Sequence, residues 1–473
     1  MLRASAVAEA VGVPSSSLVC DGFLSLAAAT SIGQGMPNLP LAVVPGHPNV
    51  QNKQALRDNI LGITLPQVIN DLLEAPEAAS EDREPGARDI IVKGSFDEIN
   101  DYFYDNELSD GLPIVPPTLD RIEAFLRFTE RDPGEVLSIL LPDSRAVTIW
   151  SIAVNGVMAG CRPEYMPVLI AVVEAMSDPY YGVEHAGSTP GGDTLIILNG
   201  PIIKELGFNY TQGVMRDGFR PNTSVGRFWR LFMRNVVGFL PHRNDKATFG
   251  NTWRVVVAEN EDVVAKLGWE PNSVDMGFET GTNTVTIARY TGGNHISSVS
   301  GSTPEAMMPY LADAMKRQIS WQLGFTIGGV AGTLRPMLML SPILAETFAA
   351  GGWTKIDIQR ALFEMARIPA WEAERLQRDW CFKPHWNIAQ EVKMGRLAKV
   401  FGESDDPNRL VPLVWEAEDY MVLVTGDLGR NSAYVFAPQG VVGYPTCKKI
   451  VLPSNWNEIR LNAEEGKGRT SGK

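Results

Sequence analysis

The sequence contains no run of about 18 apolar residues, the length that a membrane-spanning helix needs. Its N-terminus, MLRASAVAEAVGV, carries Glu9 where a secretory signal would continue an apolar stretch, so we expect no signal peptide. Basic clusters are scarce too, because 42 lysines and arginines stand against 55 acidic residues, for a net charge of −13. Nucleic acids and anionic membranes bind clustered positive charge, so the composition favours a small molecule or another protein as partner.

Cysteine and histidine are few and scattered. None of the four cysteines belongs to a CxxC pair, which argues against a disulfide framework and favours a reducing compartment, the cytoplasm. The five histidines form no HxH or HExxH pattern, so the sequence indicates no metal site. It also gives no basis for an organic cofactor, whose identity stays unknown.

Alternating strand and helix patterns predict an α/β fold with mixed or parallel-rich sheets and flanking helices. Near the N-terminus, strands are predicted at 17–20 and 39–44, with helices at 22–32, 52–61 and 65–73. Such a short segment makes a small sheet, which we expect to be an incomplete N-terminal βα unit.

The predicted helix at 65–73 is amphipathic. Thr64 is its expected N-cap, and its apolar face is expected to comprise Leu65, Val68, Ile69 and Leu72.

Composition shifts divide the chain into four parts. A partial, flavodoxin-like βα unit spans 1–74, a charged linker rich in Ala, Pro and Gly spans 75–88, the main α/β domain spans 89–340, and a C-terminal α+β part spans 341–473. At the start of the main domain, 89–92 is strand-like, and Ser95 with Glu98 forms a capping-box pattern before a helix.

The sharpest local feature is MAGCRPEY, residues 158–165. Pro163 suits the first position of a helix reaching about residue 176, although Pro167 would delay the regular helix. On the first interpretation Cys161 lies just before the helix, where the helix dipole and Arg162 would lower its thiol pKa. Cys161 is therefore a candidate nucleophile, Glu164 a candidate proton shuttle and Arg162 a candidate for substrate binding. A buried, inert cysteine and a capping carboxylate are the alternatives.

Polar residues also surround a predicted strand at 194–198. His185, in a glycine-rich loop before it, is a third catalytic candidate, while Asp193 and Asn199 at its two ends are candidates for substrate binding. A structural histidine is the alternative.

A basic segment follows. Arg220 precedes a helix predicted at 224–237, where it could bind an anion. Asn222 is a candidate for substrate binding, and Asn222 or Thr223 is the expected N-cap. Near the C-terminus, the loop TGDLGRNS follows a strand, and its Arg430, Asn431 and Ser432 are candidates for binding a carboxylate or phosphate.

Five stretches in this order resemble the UGSC family, which is named for a U-G-S-C motif containing selenocysteine or cysteine. The stretches are 14–47, 110–118 (DGLPIVPPT), 153–167 (AVNGVMAGCRPEYMP), 195–207 and 423–450. The resemblance implies thiol- or selenol-dependent redox or lyase-type chemistry on a small molecule. Asp110, at the start of DGLPIVPPT, is also expected to line the substrate pocket, because α/β folds bind ligands at loops near strand ends.

The motif itself is absent here, since no Gly-Ser-Cys occurs. In the family it precedes the segment similar to 14–47. We therefore expect a large enzyme subunit within an oligomer, in which a small partner subunit supplies the motif and completes the N-terminal sheet. Two alternatives stay open: a non-redox hydratase or lyase that acts alone, and a non-catalytic scaffold for a catalytic partner.

Overall fold

The chain folds into two compact units. The computed structural model describes residues 2–34, 36–74, 86, 88–322, 334–381, 383–439 and 443–470. The first unit comprises Met1–Gly160, Ala186–Thr189 and Phe228–Thr248, and the second comprises Cys161–His185, Pro190–Arg227 and Phe249–Lys473. The four-part division stays a prediction, and residues 75–85 and 87 of its linker lie outside the described residues.

Helices account for most of the regular structure. The helices of the described residues are α1 (Leu2–Ala10), α2 (Leu24–Gly33), α3 (Lys53–Asn59), α4 (Leu65–Leu73), α5 (Phe96–Asp105), α6 (Leu119–Leu126), α7 (Ile149–Met158), α8 (Met166–Met176), α9 (Ile202–Glu205), α10 (Arg220–Phe232), α11 (Glu261–Lys266), α12 (Asn272–Asp275), α13 (Pro304–Ile319), α14 (Pro342–Ala350), α15 (Lys355–Met365), α16 (Ala370–Arg375), α17 (Ile388–Lys393) and α18 (Trp456–Thr470). Within the described part of the chain, none of them is both long and apolar enough to cross a membrane.

The strands of the described residues form one large sheet and three two-stranded sheets. They are β1 (Ser17–Cys20), β2 (Leu41–Val44), β3 (Val136–Leu140), β4 (Arg145–Thr148), β5 (Asp193–Asn199), β6 (Val256–Ala258), β7 (Thr284–Ile296), β8 (Met337–Leu340), β9 (Arg367–Pro369), β10 (Leu410–Pro412), β11 (Met421–Val424), β12 (Ala433–Pro438) and β13 (Thr446–Lys449).

The N-terminal βα segment of the first unit is confirmed. β1 and β2 pair in parallel, with Ser17 opposite Leu41 and Cys20 opposite Val44. Among the described residues these two strands form a sheet of their own. The α4 helix has its predicted bounds, but Thr64 does not cap it. A π-helical turn runs directly into α4, and the Thr64 hydroxyl donates instead to the Val43 carbonyl at 2.8 Å.

Local capping signals were reliable further along the first unit, whereas a strand signal was not. The Ser95 hydroxyl accepts from the Glu98 amide at 3.3 Å, and the Glu98 carboxylate accepts from the Ser95 amide at 2.7 Å, which is the predicted capping box. The strand expected at 89–92 is wrong, since this segment has no regular structure. An apolar pattern of four residues forms a strand only where a neighbouring strand is available to pair with it.

The second unit is built on a curled, mixed sheet of seven strands in the order β11-β8-β12-β7-β5-β6, with β13 also paired to β7. β5–β6 and β8–β11 are parallel pairs, whereas β7 and β12 pair antiparallel with their neighbours. The predicted α/β class, with its mixed-sheet option, is therefore confirmed.

Curling brings the two edge strands of this sheet together. The Thr425 hydroxyl, after β11, donates to the Ala258 carbonyl at the end of β6 at 2.8 Å, and the Asn260 amide donates to the Val424 carbonyl at 2.8 Å. Side chains alternate between the two faces of each strand, so alternate residues share one face. One face forms a core of Leu195, Ile197, Val257, Ala288, Tyr290, Met337, Met339, Met421, Leu423 and Phe436. The other face packs against the helices of the second unit.

Candidate functional site

The segment after Cys161 begins its helix late. Pro163–Tyr165 form a short 3₁₀ turn, and regular helix begins only at Met166, with Pro167 in the first turn. A helix starting at Pro163 is therefore wrong, and the delayed start that Pro167 predicts is confirmed, since proline has no amide hydrogen to donate. As a result, Cys161 does not border the N-terminus of an α-helix, and the helix dipole acts on it only weakly.

The Cys161 thiol is protonated at neutral pH. Cys161 is half-buried, and burial raises the pKa of its thiol to about 12, against the opposing effect of the Arg220 and Arg227 charges. The predicted lowering of this pKa is wrong. Burial destabilises the charged thiolate by more free energy than the nearby cations contribute to stabilising it. As an acid–base group, Cys161 is therefore a neutral S–H.

Helix α10 supplies three groups that act on the pKa of this thiol. Arg220, Ser224 and Arg227 are spaced at i, i+4 and i+7, so they share one helix face. Ser224 is buried and is the hydrogen-bond partner of Cys161. The Ser224 hydroxyl also donates a hydrogen bond to the Arg220 carbonyl, at 2.7 Å. The hydrogen bond with Ser224 lowers the pKa of the Cys161 thiol, in the same direction as the charges of Arg220 and Arg227, but burial outweighs all three.

The 3₁₀ turn completes the surroundings of the thiol. The Glu164 side chain is buried, and one of its carboxylate oxygens lies 3.9 Å from the Arg162 guanidinium. Tyr165 is also buried, and burial raises its pKa to about 12, while the charges of Arg162 and Arg220 act in the opposite direction. We call this group the thiol cluster; it comprises Cys161, Arg162, Glu164, Tyr165, Arg220, Ser224 and Arg227.

Four of the predicted site residues thus belong to the thiol cluster: Cys161, Arg162, Glu164 and Arg220. Sequence reasoning did not assign Tyr165, Ser224 or Arg227 to the site. The i, i+4, i+7 spacing on α10 was the signal for Ser224, but a helix start placed after Arg220 concealed it.

Asn222 lies inside α10 rather than at its N-cap. The helix begins at Arg220, so the start predicted at 224 is wrong. The Asn222 amide group donates to the Val256 carbonyl at 2.8 Å, and its oxygen accepts from the Asn209 amide at 2.8 Å. Its side chain is fully buried and ties α10 to β6. The substrate-binding role given to Asn222 stays a prediction.

His185 and Asp193 flank the loop before β5. The His185 side chain is exposed, and its Nε2 lies 3.9 Å from a Glu184 carboxylate oxygen. Asp193 is buried at the start of β5, where its carboxylate accepts from the Thr194 amide at 2.8 Å. Their predicted catalytic and binding roles stay predictions.

Asn199 lies in a buried network at the carboxyl ends of β5 and β6. Its amide group donates to Glu259 at 2.7 Å and to Glu261 at 2.9 Å. Lys355 Nζ reaches the Glu259 carboxylate at 3.2 Å and the Asp275 carboxylate at 3.3 Å. Sequence reasoning missed this network except for Asn199. A polar residue directly after each of two parallel strands was the available signal.

Charge balance holds this network together. Burial raises the pKa of both Glu261 and Asp275. For Lys355, burial opposes the charged form, but the carboxylates of Glu259 and Asp275 outweigh it and raise the pKa. The lysine therefore stays protonated between the two carboxylates.

The remaining candidates lie in loops. Asp110 belongs to the first unit, where its charge acts on Arg234. In the loop after β11, the Asn431 amide group donates to the Val299 carbonyl at 2.8 Å, and the Ser432 amide donates to the Ser341 hydroxyl at 3.2 Å. Arg430 is exposed in the same loop.

No group of three or more His, Cys, Asp or Glu side chains within the described residues could hold a metal ion.

Comparison with known proteins bears on the N-terminal segment. The model of the UGSC family matches residues 1–74, which contain α1 to α4 and the β1–β2 pair. No curated protein and no solved structure matches the chain. The predicted resemblance to this family is confirmed over 1–74, and over the later segments it stays a prediction.

Proposed function

We propose that the chain is the large subunit of a UGSC-like enzyme that acts on a small anionic molecule at the thiol cluster. One observation carries this proposal: two arginines on one face of α10 act on the thiol of Cys161, beside a buried carboxylate. Guanidinium groups bind carboxylates and phosphates through paired, charge-assisted hydrogen bonds. Such a group of residues supports recognition of an anion next to acid–base groups.

The state of the thiol bears on the reaction. A cysteine that is a thiolate at neutral pH requires a lowered pKa, whereas burial raises the pKa of Cys161 to about 12. Within the proposed large subunit, this observation favours lyase-type chemistry over redox chemistry, with Cys161 as a neutral proton donor or packed beside the substrate. Thiol-dependent redox chemistry within the proposal would require Glu164, or a group on the partner, to accept the Cys161 proton first.

A small partner subunit that completes the N-terminal sheet is part of the same proposal. Its support is the two-stranded β1–β2 sheet, which has no further strand among the described residues. The predicted apolar face of α4 also lies in solvent, with Leu65 42%, Ile69 51% and Leu72 45% exposed. An amphipathic helix normally buries this face. A scaffold without catalysis would use the same surface, but it would not need the thiol cluster.

Binding of small anions tests the proposal directly. Small carboxylates and inorganic phosphate would be titrated into the purified protein with its co-purifying chains, by calorimetry, for wild type, Arg220→Gln and Arg227→Gln. We expect each substitution to weaken binding by on the order of tenfold or more, as for a lost charged hydrogen bond. Arg216→Gln, at an exposed arginine outside the cluster, is the matched control. Equal affinities in all four proteins would reject the thiol cluster as the anion site.

A further inference from the structure

The first unit contains a cavity of about 1130 Å³. Its walls come from the irregular segment before α5, from α6 and α7, and from the segment after α10. Sites for small organic molecules usually enclose about 300–1000 Å³, so this space admits a molecule of that class. None of its lining residues belongs to the thiol cluster.

Much of the lining is apolar and exposed to solvent. Ile90 is 64% exposed and Ile91 is 45% exposed, and both lie in the segment that has no regular structure. Leu119, at the start of α6, is also exposed and faces the same cavity. An apolar molecule in this space would remove all three side chains from water, which is the main driving force for binding of this kind.

Among the described residues, the charged side chains of the lining differ in their partners, and the Asp89 carboxylate accepts from the Gly86 amide at 2.7 Å. Arg145 lies 3.8 Å from Asp143 and donates to the Asn235 carbonyl, while Arg243 is ion-paired with Glu107. The Arg88 guanidinium instead stacks over the Trp150 ring, 4.8 Å from its centroid. Among the described residues, this stacking contact is the interaction of the Arg88 guanidinium, whose N–H groups are hydrogen-bond donors suited to an anionic group.

We propose that this cavity binds a molecule with an apolar body and a single anionic group. The apolar body lies against Ile90, Ile91 and Leu119, and the anionic group pairs with Arg88. The Trp150 ring holds the Arg88 guanidinium by a cation–π contact, which limits the entropy that the arginine loses when a ligand binds. The site takes amphiphilic carboxylates as a class, and it goes beyond the function proposed for the thiol cluster.

Sodium dodecanoate is a suitable probe, titrated by calorimetry into the full-length protein with its co-purifying chains and below the concentration at which micelles form. We expect saturable binding that Arg88→Gln weakens by on the order of tenfold, since it removes a charged hydrogen bond. Ile91→Ser should also weaken binding. Dodecyltrimethylammonium, which has the same chain and the opposite charge, should bind far more weakly than dodecanoate.

Two control variants separate this site from general adhesion to apolar surface. Arg127→Gln alters an exposed arginine, and Ile139→Ser alters an isoleucine that is 66% exposed; neither residue lines the cavity. Both controls should bind dodecanoate as wild type does. The inference is overturned if dodecanoate does not bind, if each lining variant binds like its control, or if the cationic amphiphile binds equally well. Urea unfolding of Arg88→Gln, expected to match wild type, confirms that weaker binding does not come from misfolding.

Discussion

Lys355 Nζ lies 3.2 Å from a carboxylate oxygen of Glu259, and both side chains are buried in the second unit. The residues are separated by 96 positions in the chain, so the pair links β6 to α15. A second Glu259 oxygen accepts from the Asn272 amide at 2.6 Å, which leaves this carboxylate well satisfied. The pair therefore fixes the carboxyl end of the parallel strands to the helices around it.

Breaking the pair from one side should be costly. Lys355→Met keeps most of the side-chain volume but leaves Glu259 charged and buried, which we expect to lower the free energy of unfolding by about 3–5 kcal/mol. Urea unfolding followed by circular dichroism measures this change. Adding Glu259→Gln to Lys355→Met should restore part of the loss, because the uncompensated charge is then gone.

Lys266→Met is the matched control. Lys266 forms an ion pair with Glu346 at 3.1 Å, but that lysine is exposed. Exposed pairs contribute about 0–1 kcal/mol, so its loss should be small. A Lys355→Met protein no less stable than Lys266→Met would show that the buried pair is not a structural link.

The thiol of Cys161 should react slowly near neutral pH. Because burial raises its pKa to about 12, the reactive thiolate is scarce at pH 7 to 9, and iodoacetamide labelling should still be rising at pH 10. Mass spectrometry of the labelled peptide measures the rate at each pH. A synthetic peptide of residues 156–166 is the reference, with half-maximal reactivity expected near the ordinary thiol pKa of about 8.5.

The free energy of unfolding should depend on pH through the same Cys161 thiol. The folded state holds the Cys161 proton more tightly than the unfolded state does. The contribution of this proton to the free energy of unfolding is therefore fully present below about pH 8.5, and it declines as the pH rises toward the folded pKa. Cys161→Ala should therefore lose less stability than wild type between pH 8 and 10. Half-maximal labelling of the folded protein below the pH found for the peptide would contradict the neutral-thiol assignment.

Gly226 on α10 should not tolerate alanine. A Cβ atom built at Gly226 would lie 2.3 Å from the Arg254 carbonyl carbon and 2.4 Å from the Val255 amide nitrogen. Alanine in place of a helical glycine usually stabilises by about 0.5–1 kcal/mol, but here the backbone of a neighbouring segment occupies the space. We expect Gly226→Ala to destabilise the protein by about 1–3 kcal/mol, the usual cost of overpacking, in urea unfolding. Gly62→Ala, where a Cβ meets nothing within 4 Å, should be neutral or stabilising.

The exposed face of α4 should be required for the proposed partner. Ile69→Glu places a charge in the middle of that face, and we expect it to abolish co-purification of the small subunit from the source cells. Because Ile69 is half in solvent, the thermal unfolding midpoint should change little. Asn70→Glu, at the next and also exposed position, is the control and should retain the subunit. Co-purification that Ile69→Glu and Asn70→Glu leave equally intact would remove α4 from the proposed interface.

Sequence reasoning succeeded where the determining contacts are local. The bounds of α4 follow from its own apolar period, and the Ser95–Glu98 capping box needs only four residues. It failed at Asn222, where hydrogen bonds to Asn209 and Val256 override the capping preference. The pKa of Cys161 was predicted in the wrong direction because burial, which depends on the whole fold, raises it by more than the neighbouring groups lower it.

The candidate site could be predicted only in part. Four members of the thiol cluster were identified because MAGCRPEY and Arg220 carry unusual local chemistry. Lys355 carries no such signal, because a lysine at a helix start is ordinary in sequence, and the position of Glu259 directly after a strand does not indicate its partner. Only the fold brings such residues together.

The most direct measurement of the central claim is turnover of small anions by the gently purified, intact assembly. Wild type and the Arg220→Gln/Arg227→Gln double variant would be incubated with a small-molecule extract of the source cells, and anionic metabolites would be followed by mass spectrometry. We predict that wild type consumes at least one small carboxylate or phosphate, and that the double variant consumes it at least a hundredfold more slowly, since two charged contacts at on the order of tenfold each are lost. Consumption at equal rates by both proteins, or no consumption of any anion by wild type, would contradict the assignment of the thiol cluster as the active site.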